Sequence, residues 1–343
     1  MYKKILIIRI GNIGDVLFVT PLIRKLRAHF PESQVDMLTS PQASVVLTRN
    51  PYINNVFIYE KYHRVDRWFK RRLFLRKLKL RGYDLCVVLE SNLEYLKFAR
   101  AACERATRIG IGSAHSKEFL SKEAPFLQTR HAVENYLALL QLLDIPFSRD
   151  DLSMDFFVED VPVAEAGDYV IVHPNCTRYD PFRGWPIDRF AQLIEYFTKK
   201  GITVYVTGSA HDIESDKLLR SFRGRELVKG FIGKDLIEVA KLIKNAKLVV
   251  CCDTGILHLT QALHGKLVAL FGPSDPKHTG PVGPGSYRVV RKPFDCGPCN
   301  YYPEYHKEQK AQCMRAEYVR CMNGIELKDV LGAIEEIGEI QKH

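Results

Sequence analysis

Residues 251–283, CCDTGILHLTQALHGKLVALFGPSDPKHTGPVG, decide the fold. The apolar run over 247–252 reads as a buried strand, and Asp253-Thr254-Gly255 makes a tight turn after it. A helix starts near Ile256, a second strand spans 267–271, and a loop rich in Gly, Pro, Ser and Asp closes the unit. Such a turn leaves backbone N–H groups unpaired at the positive end of the helix dipole, a natural seat for a diphosphate. The closing loop, residues 272–281, is stiffened by prolines and offers hydroxyl and cationic side chains nearby. The segment reads as a site for a nucleotide diphosphate.

Outward from this segment, strands and helices alternate in both directions. The second half begins with a strand at 169–173 and continues with a helix at 187–200 and strands at 203–207 and 227–229. A helix at 236–245 then leads into the decisive unit. The first half has strands at 5–10, 34–38, 56–59, 85–89 and 108–111, with helices at 15–30 and 132–143. Pro31 stops the first of these helices. Residues 156–168, with Pro162 and acidic neighbours, read as the connection between halves. The pattern predicts an α/β protein of two Rossmann-like domains, each with a parallel sheet, facing across a cleft. The expected bounds are 1–160 and 161–325, with a C-terminal helix over 326–343. Ligands then belong outside the carboxyl ends of the strands.

At 343 residues the chain can bury a core without staples. No apolar run approaches the ~18 residues of a membrane span. Its first residues begin like a signal peptide, but Arg9 breaks the apolar run and a glycine loop follows, so a core strand and a cytosolic protein are expected. The net charge of +10 points to an anionic partner. Much of it is concentrated between Lys61 and Arg81, where Lys61, Arg64, Arg67, Lys70, Arg71 and Arg72 are followed by four more cations against the single acid Asp66. Val65, Trp68, Phe69, Leu73 and Leu80 fall near one helical face. A basic amphipathic segment of this kind can lie on anionic lipid or grip phosphates; the alternative is a solvated helix whose aromatics pack inward.

Chemistry-bearing residues gather at strand ends. Arg9-Ile-Gly-Asn-Ile-Gly-Asp15 hands a strand over to a helix, and Asp15 can act as a general base or merely cap that helix. His173-Pro-Asn175 and Thr177 follow another strand, with Arg183 soon after; a guanidinium matches phosphate geometry. Asp212, beyond Gly208-Ser209, can receive ribose hydroxyls. Asp253 suits a helix cap or sugar hydroxyls better than phosphate, because two anions repel. Thr254, Gly255 and His258 share the first helical turn. Of nine cysteines, Cys86, Cys103, Cys176, Cys251 and Cys252 read as small core residues. Cys296, Cys299, Cys313 and Cys321 form a late cluster open to three readings: free thiols, a zinc or iron–sulfur site, or disulfides. It reads as a local staple, not as the catalytic centre.

Together these residues resemble glycosyltransferase family 9, the lipopolysaccharide heptosyltransferases and their relatives. The resemblance runs from about Lys3 to about Gly324. It rests on the 11–15 turn, Phe231-Ile-Gly-Lys234 with its helix, Asp253-Thr-Gly-Ile-Leu-His258, Phe271-Gly-Pro-Ser-Asp-Pro276 and Thr279-Gly-Pro281. It implies a GT-B fold whose first domain binds the acceptor and whose second binds a nucleotide-diphosphate sugar, usually ADP-heptose. It implies inverting transfer with no metal and no cofactor, Asp15 as the base, and Asp253, Thr254, Gly255 and His258 at the donor, joined by Thr177, Arg183 and Asp212. Arg183 stands where a lysine is usual, Asp212 where a glutamate is common, and Asn175 where a glycine is typical. The acceptor side is then Gly14 with the basic segment, the acceptor an anionic glycolipid, and the location the inner face of the cytoplasmic membrane. Nucleic acid is not an expected partner. The rivals are a nucleotide-sugar epimerase on the same architecture and a metal-containing nucleic-acid-binding protein.

Overall fold

The computed structural model describes residues 2–60, 67–159, 168–174, 181–294, 298 and 319–338; the side chains of 67, 68 and 181 lie outside that description. The chain forms two compact units, Met1–Phe157 and Val158–His343.

In the first unit, strands β1 (Lys4–Ile8), β2 (Gln34–Thr39), β3 (Asn55–Ile58), β4 (Leu85–Val88), β5 (Thr107–Ile111) and β6 (Lys122–Ala124) make one sheet. Their order is β3-β2-β1-β4-β5-β6, and every pairing is parallel. The central strands are apolar on both faces because helices cover both: Ile5, Leu6, Ile7, Ile8, Leu85, Cys86, Val87 and Val88 are all fully buried. One face packs Leu6, Ile8 and Val88 against Leu96, Phe98 and Ala99 of the helix Leu93–Ala102.

The second unit repeats this design. Strands β7 (Tyr169–His173), β8 (Thr203–Gly208), β9 (Val228–Ile232), β10 (Leu248–Cys252), β11 (Leu267–Phe271) and β12 (Tyr287–Arg291) are ordered β12-β11-β10-β7-β8-β9, again all parallel. Counted from each unit's own first strand, the first sheet runs 3-2-1-4-5-6, the doubly wound order, and the second runs 6-5-4-1-2-3, the same order read from its other edge. The helix Leu327–Ile337 belongs to this unit: Val330 and Ile334 join its core, and Lys292 Nζ lies 2.8 Å from Asp329 Oδ1.

One expected helix is broken. Residues 15–30 form two helices, Ile13–Leu17 and Thr20–His29. Pro21 has no N–H to give the Leu17 carbonyl; the Thr20 hydroxyl bonds that carbonyl instead, at 2.8 Å. Residues 132–143 likewise start as an α-helix, Ala132–Leu137, and tighten to a 3₁₀ turn over Ala138–Leu143. Among the described residues no helix is long and apolar enough to cross a membrane.

Candidate active site

In a doubly wound sheet the first and fourth strands are neighbours whose following helices leave on opposite faces, which opens a crevice at their carboxyl ends. The first unit has this switch point between β1 and β4, the second between β7 and β10. The residues singled out in the sequence at the 11–15 and 253–258 turns stand at these two points.

At the first point β1 delivers Arg9 and β4 delivers Glu90. Asp15 sits in the first turn of the helix Ile13–Leu17 and closes a capping box: its Oδ2 accepts the Asn12 N–H at 2.8 Å. Its Oδ1 takes Arg9 Nη2 at 2.7 Å. Asp15 thus helps to cap the helix from its third position, with Asn12 as the N-cap, and its half-buried carboxylate stays 32% exposed. Glu90 Oε1 accepts the Ile10 N–H at 2.6 Å and lies 3.3 Å from Arg9 Nη1. One guanidinium thus spans two carboxylates, with the Tyr136 ring 5.7 Å from its centre.

The electrostatics follow from enclosure. Burial raises the Glu90 carboxyl above its ordinary range, opposed by Arg9. Burial also pushes the Tyr136 phenol up to about 12, again opposed by Arg9. Burial pulls the Arg9 guanidinium down, but its anionic neighbours outweigh this and hold it above its ordinary value. Gly11 makes the arrangement possible: a Cβ there would fall 2.6 Å from Asp15 Oδ2. Gly14 is buried within the helix.

At the second point Thr254 is the N-cap residue of the helix Gly255–Ala262, yet its side chain makes no cap bond. Thr254 is 8% exposed, and its Oγ1 has no hydrogen-bond partner among the described residues. Ser274, in the loop after neighbouring β11, has a buried hydroxyl in the same condition. Asp253 is buried and pairs with Arg183 Nη1 at 2.9 Å, so it fixes a guanidinium, and the N-cap position falls to Thr254. His258 is buried on the same helix. His173, at the end of β7, bonds Thr207 Oγ1 at 2.9 Å, and desolvation pulls its imidazole down to about 4.

Asp212 caps the helix Ile213–Ser221: Oδ1 accepts the Ser215 N–H at 3.1 Å, and Oδ2 is bonded by the Ser215 hydroxyl. Lys70 and Arg72 are exposed on the helix Arg67–Lys79, whereas Arg71 turns to Glu94, with 3.2 Å between Nη1 and Oε1. Lys61, Arg64, Thr177, Cys296, Cys299 and Cys313 lie outside the described residues, as does the Arg67 side chain. Cys321 is half-buried against Gly272, where a Cβ would come within 3.0 Å of its sulfur.

Sequence reasoning misses Arg9 and Glu90 as site residues. Each is a charged residue that ends an apolar strand just before a turn, the same signal that singles out Asp253; in the sequence Arg9 interrupts the apolar run and heads the 9–15 segment, but no role falls to it.

Similarity to known proteins agrees with this geometry. The chain is 26% identical over 310 residues to the lipopolysaccharide heptosyltransferase 2 of Salmonella typhimurium, covering 84% of this chain and 88% of that one. The solved structure of the E. coli ADP-heptose LPS heptosyltransferase II shares the fold at a TM-score of 0.78 and 22% identity, covering 97% and 98% of the two chains. An E. coli heptosyltransferase solved with ADP-2-deoxy-2-fluoro heptose gives 0.75 at 20% identity, covering 97% and 99%. The fold is GT-B. The model of glycosyltransferase family 9 (heptosyltransferase) matches residues 71–310. With both Rossmann-type switch points furnished and the family model matched across most of its length, the chain belongs to glycosyltransferase family 9 and is a glycosyltransferase.

Proposed function

We propose that this enzyme moves a heptosyl group from ADP-heptose to a lipopolysaccharide core or related anionic glycolipid, with inversion and without a metal ion. The work takes place at the inner face of the cytoplasmic membrane. The acceptor hydroxyl attacks the anomeric carbon while Asp15 takes its proton. The bond from that carbon to the diphosphate oxygen breaks, and its electron pair leaves with ADP. Charge building on the diphosphate is met by the N–H groups that open the helix Gly255–Ala262, by the Thr254 hydroxyl and by Arg183. Thr177 and His258 complete the donor side, and Asp212 reaches the ribose through an oxygen it shares with Ser215. Gly14 and the cations Lys61, Arg64, Arg67, Lys70, Arg71 and Arg72 serve the acceptor.

Sharing one guanidinium between two acids suits a base. When Asp15 becomes neutral by accepting a proton, Arg9 keeps Glu90 as counter-charge, so the protonated state is not left beside an uncompensated buried cation.

Thr254 Oγ1 carries the proposal. A buried hydroxyl without a partner costs about 1–3 kcal/mol, and a phosphate oxygen at the helix start relieves that cost. The test is transfer from ADP-heptose to a heptose-deficient lipopolysaccharide, followed by mass spectrometry with and without chelator. A heptosylated product in both conditions supports the proposal. An epimerised nucleotide-sugar formed from the donor alone sinks it in favour of the epimerase.

A further inference from the structure

The helix Arg67–Lys79 carries two apolar stripes, and only one is used by its own unit. Leu78 is fully buried, and Phe74 and Leu75 pack beside it on the core formed by Phe57, Tyr59, Phe98 and their neighbours. Phe74 meets the Tyr59 ring at 6.5 Å and the Phe98 ring at 6.1 Å. Phe69, Leu73 and Leu80 are 68%, 60% and 77% exposed; with Ile213 they are the most exposed large apolar side chains among the described residues. Leu80 extends the helix by donating its N–H to the Arg76 carbonyl at 3.0 Å. At 3.6 residues per turn these three fall within roughly 40° of one another, about opposite the inward stripe. An inward-packing helix explains residues 74, 75 and 78. It leaves 69, 73 and 80 unexplained.

We infer that this outer stripe docks the enzyme on an anionic bilayer, with Phe69, Leu73 and Leu80 entering the headgroup–acyl boundary. Charge complementarity selects the occupant. The helix has cations at 67, 70, 71, 72, 76, 77 and 79 and no acid, and Arg72, Arg76 and Lys77 are exposed beside the stripe. A second copy of the same helix would set like charges against each other, and a nucleic acid has no use for Leu73 and Leu80. Anionic lipid satisfies both features: Arg71 and Lys79 already pair with Glu94 and Glu104, and lipid phosphates take exposed cations such as Arg76 and Lys77 while the acyl chains take the apolar side chains. The inference deepens the proposed glycolipid acceptor and rests on that reading: the face that holds the enzyme on the membrane consists of apolar residues outside the sugar-transfer site.

The test uses no sugar. The full chain is sedimented with vesicles of pure phosphatidylcholine and with vesicles containing one-third phosphatidylglycerol. Wild type should bind the second and not the first, and Phe69→Ser/Leu73→Ser/Leu80→Ser should bind it on the order of tenfold or more weaker. Because these side chains are exposed, the triple variant should fold with unchanged melting, and it should transfer to detergent-dispersed acceptor at the wild-type rate. Equal sedimentation of wild type and variant overturns the inference. So does concentration-dependent dimerisation, or RNA binding, that the triple variant abolishes while vesicle binding is kept. Failure of ADP-heptose transfer in both proteins would strike the proposed reaction and leave the vesicle result standing.

Discussion

Arg9 and Asp15 form a half-buried ion pair, Nη2 to Oδ1 at 2.7 Å, and Glu90 holds the other terminal nitrogen of the same guanidinium at 3.3 Å. Arg9 therefore fixes the direction of Asp15 while its own charge is shared. Replacing Arg9 by methionine should lower kcat by about a hundredfold through misplacement of the base, with donor KM little changed. It should also lower stability by about 3 kcal/mol, because Glu90 loses its buried partner. Lysine should restore much of the stability and less of the rate. Steady-state kinetics with urea unfolding on both variants separates the two effects.

Gly11, at the start of the same turn, offers a subtler probe. In Gly11→Ala the new methyl would sit 2.6 Å from both Asp15 Cβ and Oδ2. The carboxylate must move, so kcat should fall by roughly one to two orders of magnitude while donor affinity holds. Gly208→Ala is the matched control, since its methyl meets Asp212 Oδ2 at 2.6 Å in the second unit. Its effect should appear in stability and donor KM.

Thr254→Val keeps shape and removes the hydroxyl. Because that hydroxyl is buried without a partner among the described residues, the variant should be more stable by about 1 kcal/mol. The same change should weaken ADP binding about tenfold, because a phosphate oxygen loses its donor. A thermal melt with and without ADP reads both: the free variant melts higher, and its ligand-induced rise is smaller.

His173 sets an acid limit on stability. Its ordinary value of 6.5 falls to about 4 in the fold. The unfolded chain therefore takes up the proton first as pH drops below 6.5, and stability is lost between 6.5 and about 4. The loss from this one group is about 2–3 kcal/mol. His173→Asn, which can still bond Thr207, should flatten that part of the curve. Glu90 has the opposite sign. Its raised carboxyl binds a proton more tightly folded than unfolded, so it lowers stability as pH rises from its ordinary 4.5 through its raised value. Glu90→Gln should remove that slope.

Much of this is legible in the chain. The runs at 267–271 and 236–245 match strand β11 and the helix Leu236–Asn245 to the residue, because strong apolar patterns sit between clear stops: Gly265 before one, and Asp235 with its capping box before the other. The edge strands β6 and β12 are not. Paired on one side only, they are short or half-exposed and lack the apolar run of a central strand. At the site, the 11–15 and 253–258 turns announce themselves through glycines and acids at strand ends. The partnerships do not. Arg9 with Glu90 joins residues 81 positions apart, and Arg183 with Asp253 joins residues 70 apart. Only the strand order brings such pairs together. Likewise the sequence shows that Phe69, Leu73 and Leu80 share a face but not which way it points.

The most direct test is Asp15→Asn, with ADP-heptose transfer and ADP binding measured on the same preparation. Loss of a proton acceptor should cut kcat by about 10²–10⁴-fold, while calorimetry finds ADP bound as tightly as by wild type. An Asp15→Asn enzyme that transfers heptose at the wild-type rate would contradict the assignment of Asp15 as the base.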